Sequence, residues 1–157
     1  MKTTQGYSGI QIALHWLIAV LILAAWLSGE GAEEAMEAAE NGGVLGFVPH
    51  VAFGLAILLL VVVRILVRLS RGAPTAPGTP GSLSVMAADW GHRLIYLLMV
   101  AVPLGGASVF FLGLEVGEIH SLAANILMLV VLGHALMALY HQYVLKDGLL
   151  RRMMRAE

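Results

Sequence analysis

The sequence predicts an all-α fold, a four-helix bundle integral to a membrane, with 1–157 forming one domain and both termini cytoplasmic. Three observations predict it. Hydrophobic residues make up 59% of the 157 residues and charged ones only 12%. A soluble domain carries about twice that charged share, because its surface must face water. Four long apolar stretches follow one another, each near the roughly 20 residues that cross a hydrocarbon core of about 30 Å as a helix. The charges, finally, are sorted by sign between successive connections.

The first stretch, 10–27, follows Lys2 and has the look of a cleaved leader, but its length and the presence of His15 and Trp16 read as a retained span. Only a helix crosses lipid singly, since each backbone polar group must be satisfied within its own segment. The connection that follows holds Glu30, Glu33, Glu34, Glu37 and Glu40 and no basic residue. The second stretch, 47–69, ends among Arg64, Arg68 and Arg71. Pro74, Pro77 and Pro80 then mark an extended linker. The segment from Ser82 to Asp89 is a candidate to lie on the membrane surface before the third stretch, 90–112, which Gly105 and Gly106 are expected to interrupt. A short connection with Glu115 and Glu118 leads to the fourth stretch, 119–143, and a tail with Lys146, Arg151, Arg152 and Arg155. With Arg93 at the foot of the third helix, all nine basic residues fall on one side. Positive charge stays in the cytoplasm, which puts the glutamate connections outside.

Composition excludes several chemistries. The chain has no cysteine, hence no disulfide, thiolate metal site, iron–sulfur cluster or c-type haem attachment. No phosphate-binding loop, dinucleotide-binding glycine pattern or nucleophile motif is present. A net charge of −1 favours no acidic or basic partner overall, and no nucleic-acid partner is expected.

The six histidines, His15, His50, His92, His120, His134 and His141, all fall in or at the edge of a span. Ionisable side chains at membrane depth are costly, so each is a candidate functional group. A lone one would more often hydrogen-bond between helices, but here depths match in pairs. His134 follows His120 by 14 positions, nearly four turns, so the two share a face about 21 Å apart along the axis. The second helix enters from outside, which sets His50 level with His120; the first enters from inside, which sets His15 level with His134. Two such pairs on facing helices are how a bundle holds two six-coordinate b haems. His92 and His141 lie near the same inner level and remain alternative partners there. Small residues make room: Gly54 lies one turn from His50, and Gly133 adjoins His134. A zinc or di-metal centre would want three or four ligands at one depth, often with carboxylates, and no carboxylate lies within a span.

The chain resembles the bacterial cytochrome b561 family of short inner-membrane cytochromes. The likeness runs through Tyr7-Ser8, His15-Trp16, His50 with Gly54, Val63-Arg64, Arg68-Leu69, Gly91-His92 and Tyr96 to Leu98. It continues through Pro103, His120, Asn125, His134, His141, Tyr143 and Lys146-Asp147 to the segment from Leu150 to Met153. The resemblance implies two b haems with His15, His50, His120 and His134 as axial ligands to iron. It also implies a ubiquinone site at the cytoplasmic side, beside His141 and Lys146, although an interfacial histidine and a snorkelling lysine would look the same. His92, Arg64 and Arg68 match positions suited to haem propionates or quinone, while topology-setting charge explains the arginines equally well.

Three functions follow for comparison. The first is a quinone-linked oxidoreductase carrying electrons from an outer donor, superoxide by the family's association, to ubiquinone in the bacterial inner membrane. The second is a cytochrome subunit that relays electrons for a partner dehydrogenase. The third is a haem-free transporter using histidines as a proton relay. Seven glutamates and no basic residue occupy the outer connections. An anion such as superoxide is steered by positive potential, so this surface suits a neutral or cationic donor or a basic redox protein.

Overall fold

A computed structural model describes residues 6–74, 79 and 81–156. Lys2, Pro77 and Pro80, used above for topology and linker, lie outside the described residues. The described residues form five α-helices and no strand: α1 (Gly9–Leu27), α2 (Gly29–Glu40), α3 (Pro49–Arg71), α4 (Leu83–Leu112) and α5 (Gly117–Tyr140). A π-helical turn, His141–Leu145, and a 3-10 turn, Leu150–Met153, complete the tail.

Local chemistry starts and stops these helices where they are needed. Ser8 caps α1, and Gln11 returns its side-chain oxygen to the Ser8 backbone N–H and hydroxyl, 2.9 Å from each, a reciprocal cap. Pro49 opens α3 at the one helical position where its missing N–H loses nothing. Gly113, at φ 65°, closes α4 in the left-handed conformation that glycine adopts without strain.

α1, α3, α4 and α5 with its π turn are long and apolar enough to cross a membrane. Their outward faces carry Leu17, Val20, Leu59, Leu66, Leu97 and Leu129, all exposed. In water such a surface would aggregate; against lipid chains it is the expected solvent-facing side. Inside, Ile18 and Ile22 of α1, Ile57 and Val61 of α3, Met99 and Val102 of α4, and Leu127 of α5 form one buried apolar layer at mid-depth. Close backbone packing joins α1 to α3, α3 to α4, and α4 to α5, whereas α5 approaches α1 and α3 only sparsely.

Three elements depart from the sequence reading. The acidic connection contains a full helix, α2, whose five glutamates are all exposed and whose Ala32 is buried. The stretch 83–89 is not a separate surface segment but the first two turns of the 30-residue α4. Gly105 and Gly106 do not interrupt α4, which runs through them and through the buried Pro103. Lipid explains that continuity. A broken helix there would leave backbone groups without water to bond, whereas a proline loses a single hydrogen bond.

Candidate functional site

The outer cluster is built from the ends of three helices. The start at Pro49 puts His50 in the first turn of α3, where its Nδ1 lies 2.8 Å from the carbonyl oxygen of Ala25, in the last turn of α1. His120, in the first turn of α5, sets its Nδ1 2.9 Å from the carbonyl of Val102 on α4. A carbonyl only accepts, so each Nδ1 carries the proton and each Nε2 keeps its lone pair. The two ring centroids stand 5.9 Å apart with planes at 89°. An apolar pocket opens beside them, lined by Ile22, Trp26, Gly54, Pro103, Leu127 and Met128 among others. Trp26 is steadied by donating its indole N–H to Asn125 at 3.1 Å.

At the opposite end three histidines meet. His15 of α1 and His134 of α5 have centroids 6.3 Å apart, and His92 of α4 packs edge-on against His134 at 5.1 Å. His92 is held by its Nδ1, 2.6 Å from the Ala88 carbonyl. Among the described residues, the rings of His15 and His134 make no hydrogen bond. Arg64 reaches the same level, donating from Nη1 to the carbonyl of Gln11 and from Nε to the hydroxyl of Tyr96, each at 3.0 Å. The amide of Gln11, buried, donates to the carbonyl of Gly72 at 2.8 Å. Arg68 lies one turn further along α3, partly buried, without a hydrogen bond among the described residues. This polar network clamps α1, α3 and α4 together beside the inner histidines.

His141 begins the π turn and pairs through Nδ1 with a carboxylate oxygen of Asp147 at 2.5 Å. That hydrogen bond holds the Asp147 carboxyl below the usual carboxylate range, helped by the Leu149 N–H on its other oxygen. Lys146 caps the turn at φ 54°, a left-handed conformation unusual for a side chain of its size. π turns of this kind gather at functional sites. The 3-10 tail then folds back, and Trp16 donates its indole N–H to the Met153 carbonyl at 2.8 Å.

The spacings discriminate between partners. Two imidazoles bound to opposite sides of one first-row metal, each at about 2.0–2.1 Å, have ring centroids about 6.4 Å apart. The pairs at 5.9 Å and 6.3 Å approach this value, and the pair at 5.1 Å falls short. No group of three or more potential ligands converges on one point among the described residues.

The model of the prokaryotic cytochrome b561 family matches residues 6–156. The chain belongs to the prokaryotic cytochrome b561 family. It is 46% identical to cytochrome b562 of Cereibacter sphaeroides, over 99% of each chain. It is 33% identical to a probable superoxide oxidase, CybB, of Yersinia pestis, over 94% of this chain and 95% of that one. Cytochrome b561 homolog 1 of Escherichia coli is 27% identical, over 94% and 96%. The protein is therefore a multi-pass cytochrome of the inner membrane, with haem b as its electron-carrying group.

The residues present fit that group. A b haem wants two imidazoles on opposite faces, apolar walls along the macrocycle, and a fixed tautomer at each ligand. His50 and His120 would hold such a group beside an apolar pocket, each with its Nδ1 on a backbone carbonyl, and His15 with His134 stand at a similar spacing with the Arg64 guanidinium at their level. Several contributors were not singled out by the sequence. Gln11 was signalled by the Ser8 and Gln11 spacing of a capping box. α2 was signalled by Ala32, Ala35, Met36 and Ala39, which recur at helical spacing. No sequence signal points to the carbonyls of Ala25 and Val102, because any residue supplies one.

Proposed function

We propose that this b561-family protein is a di-haem oxidoreductase that carries single electrons from a donor on the outer side to ubiquinone at the cytoplasmic side. The observation that carries the reading is the two histidine pairs, His50 with His120 and His15 with His134, at 5.9 Å and 6.3 Å. They stand at opposite ends of the bundle, above and below the apolar layer. Haem supplies reversible one-electron chemistry when bound, and the chain sets its ligands, burial and hydrogen bonding. The chain's own residues do the rest. The Nδ1–H bonds to Ala25 and Val102 orient the outer imidazoles, and the buried layer keeps water from the path between the pairs. Arg64 and Arg68 offer positive charge to propionates at the inner level. His141 and Lys146, at the π turn, supply donors for a quinone headgroup. Two electrons delivered one at a time, with two protons taken from the cytoplasmic side, convert quinone to quinol.

The donor is the open member of the reaction. A relative named as a probable superoxide oxidase suggests superoxide, which would give up one electron and leave as dioxygen. The five exposed glutamates of α2 favour a second reading, a cationic donor or basic redox protein.

The test is haem content by reduced-minus-oxidised spectroscopy of the purified protein and of His120→Ala. Two haems per chain in the parent and one in the variant are expected. Two haems in both would overturn the assignment of the outer pair.

A further inference from the structure

We infer that Gly106 is a positioning residue for His120: its missing side chain forms a notch in α4 that sets the plane of the imidazole. The inference rests on the reading above that His120 holds the outer haem.

The geometry is specific to this one glycine. A Cβ built on Gly106 would lie 2.8 Å from Cε1 of His120 and 3.3 Å from both ring nitrogens. Those three atoms form the outer edge of the ring, the edge that carries the ligating nitrogen. Real carbon contacts do not approach so closely, so either the ring or the helix must move. The ring has little freedom to retreat, because Nδ1 is bonded to the Val102 carbonyl at 2.9 Å. Val102 lies one turn before Gly106 on the same face of α4. The helix thus presents a hydrogen-bond acceptor and a gap one above the other, and the imidazole occupies both. Any side chain at 106 forces the ring to turn, and turning strains or breaks the bond to Val102.

Glycines are common where membrane helices pack closely, and neighbouring positions separate that general role from this one. A Cβ on Gly105 would meet His120 only at 3.8 Å, an ordinary contact. Gly133, adjoining His134, and Gly54, beside the outer cavity, would meet nothing within 4 Å. Among the described residues, His120 is the one histidine whose ring a glycine's added Cβ would intrude upon; a Cβ at Gly29 would meet His50 only at 4.0 Å. A donated Nδ1–H makes the imidazole a more basic ligand, which stabilises the oxidised iron. Gly106 therefore helps hold the outer haem at a lower potential than a free-turning His120 would give.

The experiment compares Gly106→Ala with Gly105→Ala, adjacent changes of identical size and helix propensity, in the holoprotein. Haem per chain, the ferric low-spin electron paramagnetic resonance signals and the two midpoint potentials are read. Gly106→Ala is expected to shift the outer signal and raise the outer potential, or to lose that haem, while the inner signal stays unchanged as an internal report of folding. Gly105→Ala is expected to match the parent. An unmoved outer signal in Gly106→Ala, or equal effects of the two changes, would overturn the inference. Should Gly106→Ala fail to accumulate, combining it with His120→Ala removes the ring it clashes with. Recovery to the single-haem level of His120→Ala supports the notch, and continued failure overturns it. Loss of one haem in His120→Ala with an inert Gly106→Ala sinks this inference alone, whereas two haems retained in His120→Ala sinks the reading beneath it as well.

Discussion

His134 has two neighbours of the same chemistry, at spacings that differ by about an ångström. His15 stands at 6.3 Å, the spacing of a pair that shares one metal, and His92 at 5.1 Å, too close for that. His92 is also tied to its own helix through Ala88. Replacing His92 with alanine is therefore expected to leave two haems per chain, with at most a shift of the inner band. Loss of the inner haem, with His15→Ala retaining it, would reverse the assignment. Depth counting along the sequence pairs His15 with His134 and leaves His92 and His141 as alternatives at the same level. The choice depends on helix rotation and lateral position, which the count of residues from a helix end does not carry.

α2 shows an element whose function-bearing surface was legible and whose structure was not. Its five glutamates read as a solvated acidic connection, and they include like-charged pairs four apart that weaken a helix. Alanine, glutamate and methionine are nonetheless strong helix formers, and Ala32 is buried where α2 folds over the ends of α1 and α3. Packing thus overrides the repulsion. The helix holds a negative surface near the outer cluster, and a Cβ added at Gly29, its first residue, would lie 4.0 Å from His50 Cε1. Replacing the five glutamates with glutamine is expected to slow reduction by a basic electron donor several-fold at low ionic strength. The same change should speed reduction by superoxide. Both effects should fade at high salt, where the screening length falls to about 3 Å near 1 M and more distant charges no longer interact. Stopped-flow reduction across a salt series reads this directly, and rates insensitive to both charge and salt would remove α2 from donor selection.

The whole molecule is polarised along its axis. The starts of α1 and α4, the end of α3 and the folded-back tail meet at one end, through Gln11 to Gly72 and Trp16 to Met153. That end collects the described basic residues, and α2 with Glu115 and Glu118 occupies the other. The absence of cysteine makes orientation simple to measure. A cysteine introduced at Glu37 is expected to react with an impermeant maleimide on intact spheroplasts, and one at Arg152 only after lysis. The opposite pattern would invert the topology and with it the direction of transfer. Four spans, the sorting of charge between their ends and the two histidine levels were determined by the sequence by itself. Hydrophobic length, charge sorting and residue spacing act along one dimension and need no partner segment. Helix rotation, the sparse contact of α5 with α1 and α3, the carbonyls that fix His50 and His120, and the notch at Gly106 were decided only by the tertiary structure. Each depends on how two surfaces meet to within an ångström, and that distance is a property of neither segment alone.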